Sequence, residues 1–338
     1  MEILCEVDIM NVVMYPYEIT FYHDQVFNID PQYNHNRDNC RYPDYYLRES
    51  LKAAGVEMHT PDYYNGNFRG CDKLLMFNFD GGMAQEMNFL DRKDRILFLV
   101  EPPVVRPDMW SKHMLKNFAG YFGRVYTWAD ELVDNVHFFK FSLPQVPPEG
   151  GWPGNKEFCN SGKYLLALIS SNYGNDFPGE LYTLRRELAK HCDMKVQDFH
   201  LYGSGWEGLR SSAGGCRHKF PVLKDHKFSI CTENSFVRGY ITEKIFDSFF
   251  SGCIPVYCGA PNIKDYIPSD TFIDVRDFAG IDLLVNYMKD MDDDTLSNYR
   301  NNILNYLTSD RFTPFTLDQY VRTVAEALGL EMKQEASK

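Results

Sequence analysis

The sequence predicts an α/β protein of two domains, each built on a mainly parallel sheet with helices on its faces. Three observations predict this fold. Short apolar runs alternate with helix-length amphipathic segments in both halves of the chain. A stretch rich in proline and glycine separates the halves, and 338 residues exceed the usual size of one domain. With 44% apolar residues, the chain can bury two sizeable cores.

The first half alternates strands and helices. A helical pattern at residues 44–54 ends at Gly55, and a strand follows at residues 56–59. Further buried strands are predicted at residues 74–79, 96–100 and 124–128, with helical segments around residues 84–90 and 108–118. Alternation of this kind indicates a parallel sheet covered by helices.

The second half repeats the pattern after residues 143–162, which hold four prolines and four glycines. We predict an N-terminal domain at 1–148, a linker at 149–162, a C-terminal domain at 163–316 and a last helix, 317–338, packing back on the domains. Strands are predicted in this half at 164–170, 199–202, 228–231 and 254–257, and helices at 180–191 and 242–251. Two Rossmann-like domains facing each other across a cleft would suit an enzyme with two substrates.

Composition excludes several classes of protein. The chain has 35 basic and 47 acidic residues, a net charge of −12, so it lacks the broad positive field of a nucleic-acid-binding protein. Its nine cysteines are scattered without a CxxC pair, which argues against a disulfide framework or structural zinc. Residues 1–16 carry three acidic side chains and no unbroken apolar core, unlike a signal peptide, and no run approaches the length of a transmembrane segment.

The densest group of polar residues lies at 228–259, where a strand leads into a polar loop, a helix and another strand. Tyr240, Glu243 and Lys244 fall on one side of the first helical turn. A helix N-terminus attracts anions, and the lysine adds a full positive charge, so this turn is a candidate diphosphate site. A solvated Glu–Lys pair at a helix start is the structural alternative.

The run ENSFVRGYITEKIFDSFFSGCIPVYCGAP, residues 233–261, resembles the signature of the alpha-1,3-fucosyltransferases. Weaker similarity covers residues 163–278 and includes SSN at 170–172, ELYTLRREL and LYGSGW, whereas the first 150 residues match only in layout. The resemblance implies the GT-B fold, and transfer of fucose from GDP-fucose to a sugar hydroxyl with inversion at the anomeric carbon.

The resemblance also implies roles for individual residues. Glu243 would accept hydrogen bonds from ribose or sugar hydroxyls, and Lys244 would neutralise phosphate. Arg185 falls on the family's phosphate-binding position, although an exposed arginine pair at 185 and 186 is an equally good structural interpretation. The predicted donor-binding set is Arg185, Arg186, Tyr202, Gly203, Gly205, Glu233, Asn234, Ser235, Tyr240, Thr242, Glu243 and Lys244.

An inverting transfer needs a general base on the acceptor side. Glu101 directly follows the apolar strand ILFLV, where a parallel strand delivers side chains into a crevice, and its position resembles that of the family's base. A glutamate that merely begins a surface turn is the alternative. Arg106, His113 and Trp128 are candidates for acceptor binding.

Two other motifs are weak. The glycines at 203, 205 and 208 fit GxGxxG, but no helix follows, so we interpret them as a tight turn close to the nucleotide. Asp290 and Asp292 form a DxD, yet Asp292, Asp293 and Asp294 precede a helical pattern and are better explained as charges at a helix start. We therefore predict no metal site and no required cofactor, and expect a divalent cation such as Mn or Mg at most to stimulate the reaction.

The sequence thus predicts a fucosyltransferase with GDP-fucose as donor and an oligosaccharide or glycoconjugate as acceptor. The fucose would be attached to O3 of a GlcNAc or Glc residue of the acceptor. Two alternatives stay open: a protein that binds a nucleotide sugar or glycan without turnover, and a GT-B transferase that uses another nucleotide sugar. We expect neither the N-terminal anchor of animal members nor the C-terminal heptads of some bacterial ones, because the sequence shows no long apolar run and no heptad pattern. We therefore expect a cytoplasmic enzyme of bacterial or viral type, soluble or peripheral to a membrane.

Overall fold

The computed structural model describes residues 9–147 and 160–330, which form parts of two compact units. Unit 1 comprises Met1–Asn36, Cys40–Val146 and Pro314–Lys338, and unit 2 comprises Arg37–Asn39 and Pro147–Thr313. Of the predicted linker, only residues 160–162 lie within the described part of the chain.

Unit 1 is built on a six-stranded parallel sheet. Its strands are β1 (Met10–Tyr15), β2 (Val56–His59), β3 (Lys73–Phe77), β4 (Arg95–Leu99), β5 (Arg124–Thr127) and β6 (Phe138–Lys140). They lie in the order β2-β1-β3-β4-β5-β6, and every neighbouring pair is parallel. β3 and β4 are almost wholly buried because apolar side chains pack against both faces of the sheet.

Three helices of unit 1 follow strands in the first half of the chain. They are α1 (Tyr42–Lys52), α2 (Gly81–Glu86) and α3 (Lys112–Tyr121). Asp80 and Ser111 begin α2 and α3 as N-caps, each accepting a hydrogen bond from a backbone amide of the first turn. These caps set where each helix leaves the carboxyl end of the sheet.

Unit 2 repeats the architecture. Its strands are β7 (Tyr164–Ile169), β8 (Phe199–Tyr202), β9 (Ser212–Gly214), β10 (His226–Thr232), β11 (Ile254–Cys258) and β12 (Ile273–Asp274). All pairs are parallel, in the order β12-β11-β10-β7-β8-β9. Its helices are α4 (Tyr182–Lys195), α5 (Lys219–Lys224), α6 (Glu243–Ser251), α7 (Ile263–Tyr266), α8 (Ile281–Asp290) and α9 (Asp293–Leu307). The predicted α/β class and the two parallel sheets are confirmed.

The last described helix, α10 (Leu317–Leu328), returns to unit 1. Tyr320, Val321 and Val324 are buried in the same core as β1 and α1. Gly329 ends the helix at φ +82°, a conformation that favours glycine. The predicted helix at 317–338 is therefore shorter and packs on unit 1, and residues 331–338 lie outside the described residues. None of the described helices is both long and apolar enough to cross a membrane.

Candidate functional site

The strand order of unit 2 reverses between β7 and β10. Open parallel sheets bind ligands at the carboxyl ends of their strands, at such a reversal. A cavity of about 20 Å³ lies there. Polar and charged side chains from the residue after β7, from β10 and from three helices line it: Ser170, Arg185, Lys219, Ser229, Thr232, Lys244, Asp247 and Ser248. The predicted Arg185 and Lys244 thus meet at one place, together with a third cation that the sequence analysis did not select.

Glu233 holds the first turn of α6 in place. Its side chain is fully buried, and its carboxylate accepts hydrogen bonds from the backbone amide and the hydroxyl of Thr242, each at 2.8 Å. Thr242 is the N-cap of α6, and its hydroxyl also accepts a hydrogen bond from Lys244 Nζ at 3.1 Å. Glu233 therefore supports Thr242 and, through it, Lys244, which lines the cavity. Glu233 itself is shielded from solvent.

A network of opposite charges surrounds this turn. Lys219 Nζ lies 2.7 Å from Asp247 Oδ2 and 3.5 Å from Glu243 Oε1, and Lys244 Nζ lies 3.6 Å from the same Glu243 oxygen. Desolvation disfavours ionisation of Glu243, but Lys244 and Lys219 outweigh it and hold the pKa of this carboxyl well below its usual range. Desolvation also opposes the charge of both lysines, yet the neighbouring carboxylates raise the pKa of Lys219 and of Lys244. Glu243 and both lysines are therefore charged at neutral pH.

Arg185 is 2% exposed and supports the end of β10. Its Nε donates to the hydroxyl of Thr232 at 2.8 Å, and its Nη2 donates to the carbonyl of Thr232 at 2.7 Å and to Asn234 Oδ1 at 3.1 Å. Its Nη1 makes no hydrogen bond to any residue that the structure describes. The guanidinium thus fixes the loop after β10 and keeps two N–H donors for a ligand.

Arg186 points away from this network. Its Nη1 donates to the carbonyl of Tyr173 at 3.3 Å and its Nη2 to the hydroxyl of Thr183 at 3.0 Å, which ties α4 to the loop after β7. Its predicted contact with the donor stays a prediction, whereas the geometry favours Arg185 for the cavity.

The glycine-rich turn after β8 packs against the end of β7. A Cβ on Gly203, at φ +132°, would lie 2.3 Å from the carbonyl oxygen of Ser170, and one on Gly205 would lie 3.1 Å from Asn172. Trp206 is buried and donates from Nε1 to the same Ser170 carbonyl. The glycines therefore let two loops approach closely at the carboxyl edge of the sheet, and Tyr202 ends β8 beside them as a half-buried side chain.

Ser235 and Tyr240 lie in the loop between β10 and α6. Both are buried, at 1% and 4% exposure. Ser235 Oγ has no hydrogen-bond partner among the described residues, although a buried hydroxyl normally has one. A ligand that reaches this loop would satisfy it.

Glu101 lies in unit 1, in a loop whose backbone is held from three sides. Asn78 directly follows β3 with φ +58°, and its Oδ1 accepts hydrogen bonds from the amides of Val100 at 2.9 Å and Glu101 at 3.0 Å. The indole of Trp110 donates to the carbonyl of Glu101 at 3.0 Å, and that of Trp128 donates to the carbonyl of Val100 at 2.8 Å. Glu101 is partly exposed at the carboxyl end of β4, the edge at which parallel sheets bind ligands.

The three predicted acceptor residues have different surroundings. Arg106 is half-buried and donates to Asp108 from Nε at 2.9 Å and from Nη2 at 2.8 Å. His113 is exposed on α3, 3.1 Å from Asn117. Trp128 is fully buried, so the expected direct contact with an acceptor is corrected: its indole supports the loop of Glu101 instead.

The described residues contain no group of three or more His, Cys, Asp or Glu side chains that could hold a metal ion. In the DxD motif, Asp292 is the N-cap of α9 and accepts a hydrogen bond from the amide of Thr295 at 2.8 Å, and Asp293 and Asp294 lie in the first turn. Asp292 therefore serves a helix start, as predicted, whereas Asp290 is the last residue of α8.

Sequence reasoning missed Lys219 and Asn78. Lys219 begins a six-residue helix without a recognisable motif, and its partners lie 24 and 28 positions along the chain. Asn78 could have been noticed, since an asparagine directly after a buried strand is typical of a turn with positive φ.

The segment that carries this site is similar to known proteins. Residues 161–304 match the family model "Glycosyltransferase family 10 (fucosyltransferase) C-term". The chain is 39% identical over 88 residues to alpha-(1,3)-fucosyltransferase FucT of Helicobacter pylori. The matched segment is 25% of this chain and 18% of that protein. The chain is 34% identical over 130 residues to 4-galactosyl-N-acetylglucosaminide 3-alpha-L-fucosyltransferase 9 of Mus musculus, 38% of this chain and 33% of that protein. The matches thus span a third or less of these relatives.

The fold is similar to solved structures along nearly the whole chain. A crystal structure of an alpha1,3-fucosyltransferase covers 98% of this chain and 94% of its own with a TM-score of 0.57 and 15% identity. The structure of such an enzyme with GDP-fucose covers 97% and 93% with the same TM-score and 17% identity. At this level of identity the likeness shows the fold, which is the expected GT-B fold.

Proposed function

We propose that the protein transfers fucose from GDP-fucose to a glycan hydroxyl, because residues 161–304 match the model of glycosyltransferase family 10, the fucosyltransferases. One observation carries the proposal: the cations and the buried carboxylate at the strand reversal of unit 2 all fall inside the matched segment. A nucleoside diphosphate needs such cationic donors, and the reversal is where a parallel sheet binds its ligand.

In this proposal unit 2 binds the donor. Lys244 and the free Nη1 of Arg185 bind the diphosphate, and Glu243, which stays ionised, accepts hydrogen bonds from hydroxyls of the ribose or the fucose. Ser235 and Tyr240 line the loop that closes over the nucleotide. Glu233 positions Thr242 and Lys244 without touching the donor, because its side chain is fully buried.

Unit 1 supplies the base. The carboxylate of Glu101 takes the proton of the acceptor hydroxyl while that oxygen forms a bond to C1 of fucose. The bond between C1 and the β-phosphate oxygen breaks, and its electron pair leaves with GDP. Arg185 and Lys244 stabilise the negative charge that develops there, so the step needs no further reactant and inverts the anomeric carbon.

The acceptor is proposed from the relatives. The matched enzyme of Mus musculus carries in its name a 4-galactosyl-N-acetylglucosaminide acceptor and a 3-alpha linkage. We propose O3 of GlcNAc or Glc in an oligosaccharide or glycoconjugate as the attacking hydroxyl of this enzyme. The cytoplasmic location expected from the sequence stays a prediction, which fractionation of cells that express the gene would test.

The experiment measures GDP release from GDP-fucose with and without 4-galactosyl-N-acetylglucosamine, and GDP binding by calorimetry. Lys244→Ala should weaken GDP binding by about tenfold or more, since a charge-assisted contact is lost. Glu101→Gln should bind GDP normally and lose about 100-fold or more in transfer, since the base is lost. Normal transfer by Glu101→Gln would refute the assigned base.

The same assay separates the two alternatives. A binding protein without turnover would bind GDP tightly and release none from GDP-fucose in the presence of a panel of acceptors. A transferase for another nucleotide sugar would be inhibited strongly by UDP and weakly by GDP. Either result would overturn the proposed donor or activity.

A further inference from the structure

The strand order of unit 1 also reverses, between β1 and β3, and polar and aromatic side chains gather at the carboxyl end of these strands. Tyr15 is the last residue of β1, Tyr22 follows a short 3₁₀ turn, and Asp80 comes three residues after β3. The rings of Tyr15 and Tyr22 meet edge to face, with centroids 6.4 Å apart. A parallel sheet binds ligands at the carboxyl ends of its strands where their order reverses, so this edge of unit 1 is a second candidate binding site.

Asp80 is the centre of this group. Its Oδ1 accepts a hydrogen bond from the amide of Met83, as the N-cap of α2, and after burial its nearby charge raises the pKa of the Tyr15 hydroxyl. The hydroxyl of Tyr22 makes no hydrogen bond to any described residue, and the nearby carboxylate of Asp80, after burial, raises the pKa of this phenol. A partly exposed phenol beside a carboxylate therefore offers a donor that the fold does not use.

The group lies close to Glu101. Hydrogen bonds to Asp108 raise the pKa of Arg106, and the charges of Glu101 and Asp80 raise it further, so both carboxylates lie near one guanidinium. That guanidinium is already held by two bonds to Asp108 and one to the carbonyl of Phe79. The reversal of unit 1 therefore presents two carboxylates, a free phenol and two aromatic rings, but no uncommitted cation among these residues.

We propose that Asp80, Tyr15 and Tyr22 form a subsite for a neutral saccharide, namely the acceptor whose hydroxyl Glu101 deprotonates. The carboxylate of Asp80 accepts hydrogen bonds from vicinal sugar hydroxyls, the Tyr22 hydroxyl donates one, and the rings pack against the apolar face of a pyranose. An acceptor with a sulfate or carboxylate at this position is disfavoured, because it would face two negative charges. The subsite rests on the proposed function.

Two variants remove single groups and keep the fold. Asp80→Asn keeps an oxygen for the helix cap and removes the charge, and Asn is as good an N-cap as Asp. Tyr22→Phe keeps the ring and removes the hydroxyl. Each should raise KM for 4-galactosyl-N-acetylglucosamine about tenfold, leaving KM for GDP-fucose and GDP release in the absence of acceptor unchanged. Asp292→Asn is the matched control, since Asp292 caps α9 in the same way in unit 2 and should leave both KM values as they are.

The selectivity between neutral and sulfated acceptors is a further measurement, and it would not change if Asp80 had only a structural role. Wild-type enzyme should prefer the neutral disaccharide to the same disaccharide carrying a sulfate, and Asp80→Asn should reduce this preference. An acceptor KM within twofold of wild type in both variants, or an equal rise in both substrates' KM values, would overturn the subsite. If wild type binds no GDP, the proposed function fails on its own, and saturation-transfer NMR of the disaccharide with wild type and Asp80→Asn still decides for or against the subsite.

Discussion

Replacing Lys219 by methionine should destabilise the protein strongly. The lysine is 15% exposed, as is its partner Asp247, and their charged atoms lie 2.7 Å apart. At an effective dielectric constant of about 20, the attraction at this distance is about 6 kcal/mol before desolvation is subtracted. Removing one partner of a buried pair leaves the other charge uncompensated and typically costs about 3–5 kcal/mol. We expect a loss of that size for Lys219→Met.

The assay is the free energy of unfolding by urea at pH 7, with Lys93→Met as control. Lys93 is 78% exposed and lies 3.9 Å from an equally exposed Asp91, so its removal should cost less than about 1 kcal/mol. In the double variant Lys219→Met, Asp247→Asn no charge is left without its partner at this pair, and part of the lost stability should return. A cost for Lys219→Met as small as that of the control would refute the buried network.

Three further outcomes are expected. Gly203→Ala should cost about 1–3 kcal/mol more than Gly208→Ala in urea unfolding, because both glycines have positive φ but only a Cβ at 203 meets a backbone oxygen, at 2.3 Å. Burial lowers the pKa of His200 and of His226, and His200 Nδ1 lies 2.8 Å from His226 Nε2, so the unfolded chain binds more protons and stability falls as the pH drops below 6.5; His200→Gln with His226→Asn should flatten this fall in urea titrations. Asn78→Ala should lower kcat for fucosyl transfer about tenfold with unchanged KM for GDP-fucose, because two loop amides lose their acceptor; unchanged kcat would contradict this role.

The strands that the sequence predicted are those whose apolar runs are long enough to be recognised alone. The predicted strand at 56–59 coincides with β2, and those at 164–170 and 254–257 agree with β7 and β11 to within one residue. β9 and β12 were not predicted, because three and two residues carry no periodicity of their own. β1 was not predicted either, although MNVVMY forms an interior strand between β2 and β3 with three buried residues.

The candidate site shows the same division. The sequence placed Tyr240, Glu243 and Lys244 on one helical turn. In the structure Glu243 and Lys244 begin α6, whereas Tyr240 lies in the loop before the N-cap Thr242. It grouped Glu233 with the donor contacts, whereas the fold buries this carboxylate beneath the turn. A one-dimensional pattern places a residue on an element but does not say whether it faces a ligand or its own neighbours.

The amino-acid order alone determined where helices and strands form and which turn carries the charged residues, since these depend on neighbours within a few positions. Only the tertiary structure decided that Lys219 joins Glu243 and Asp247, that Asn78 holds the loop of Glu101, and that two strand reversals collect the polar side chains. The physical reason is that these contacts arise from the order in which strands pair. That order is set by the packing of two whole cores, which no local stretch of sequence records.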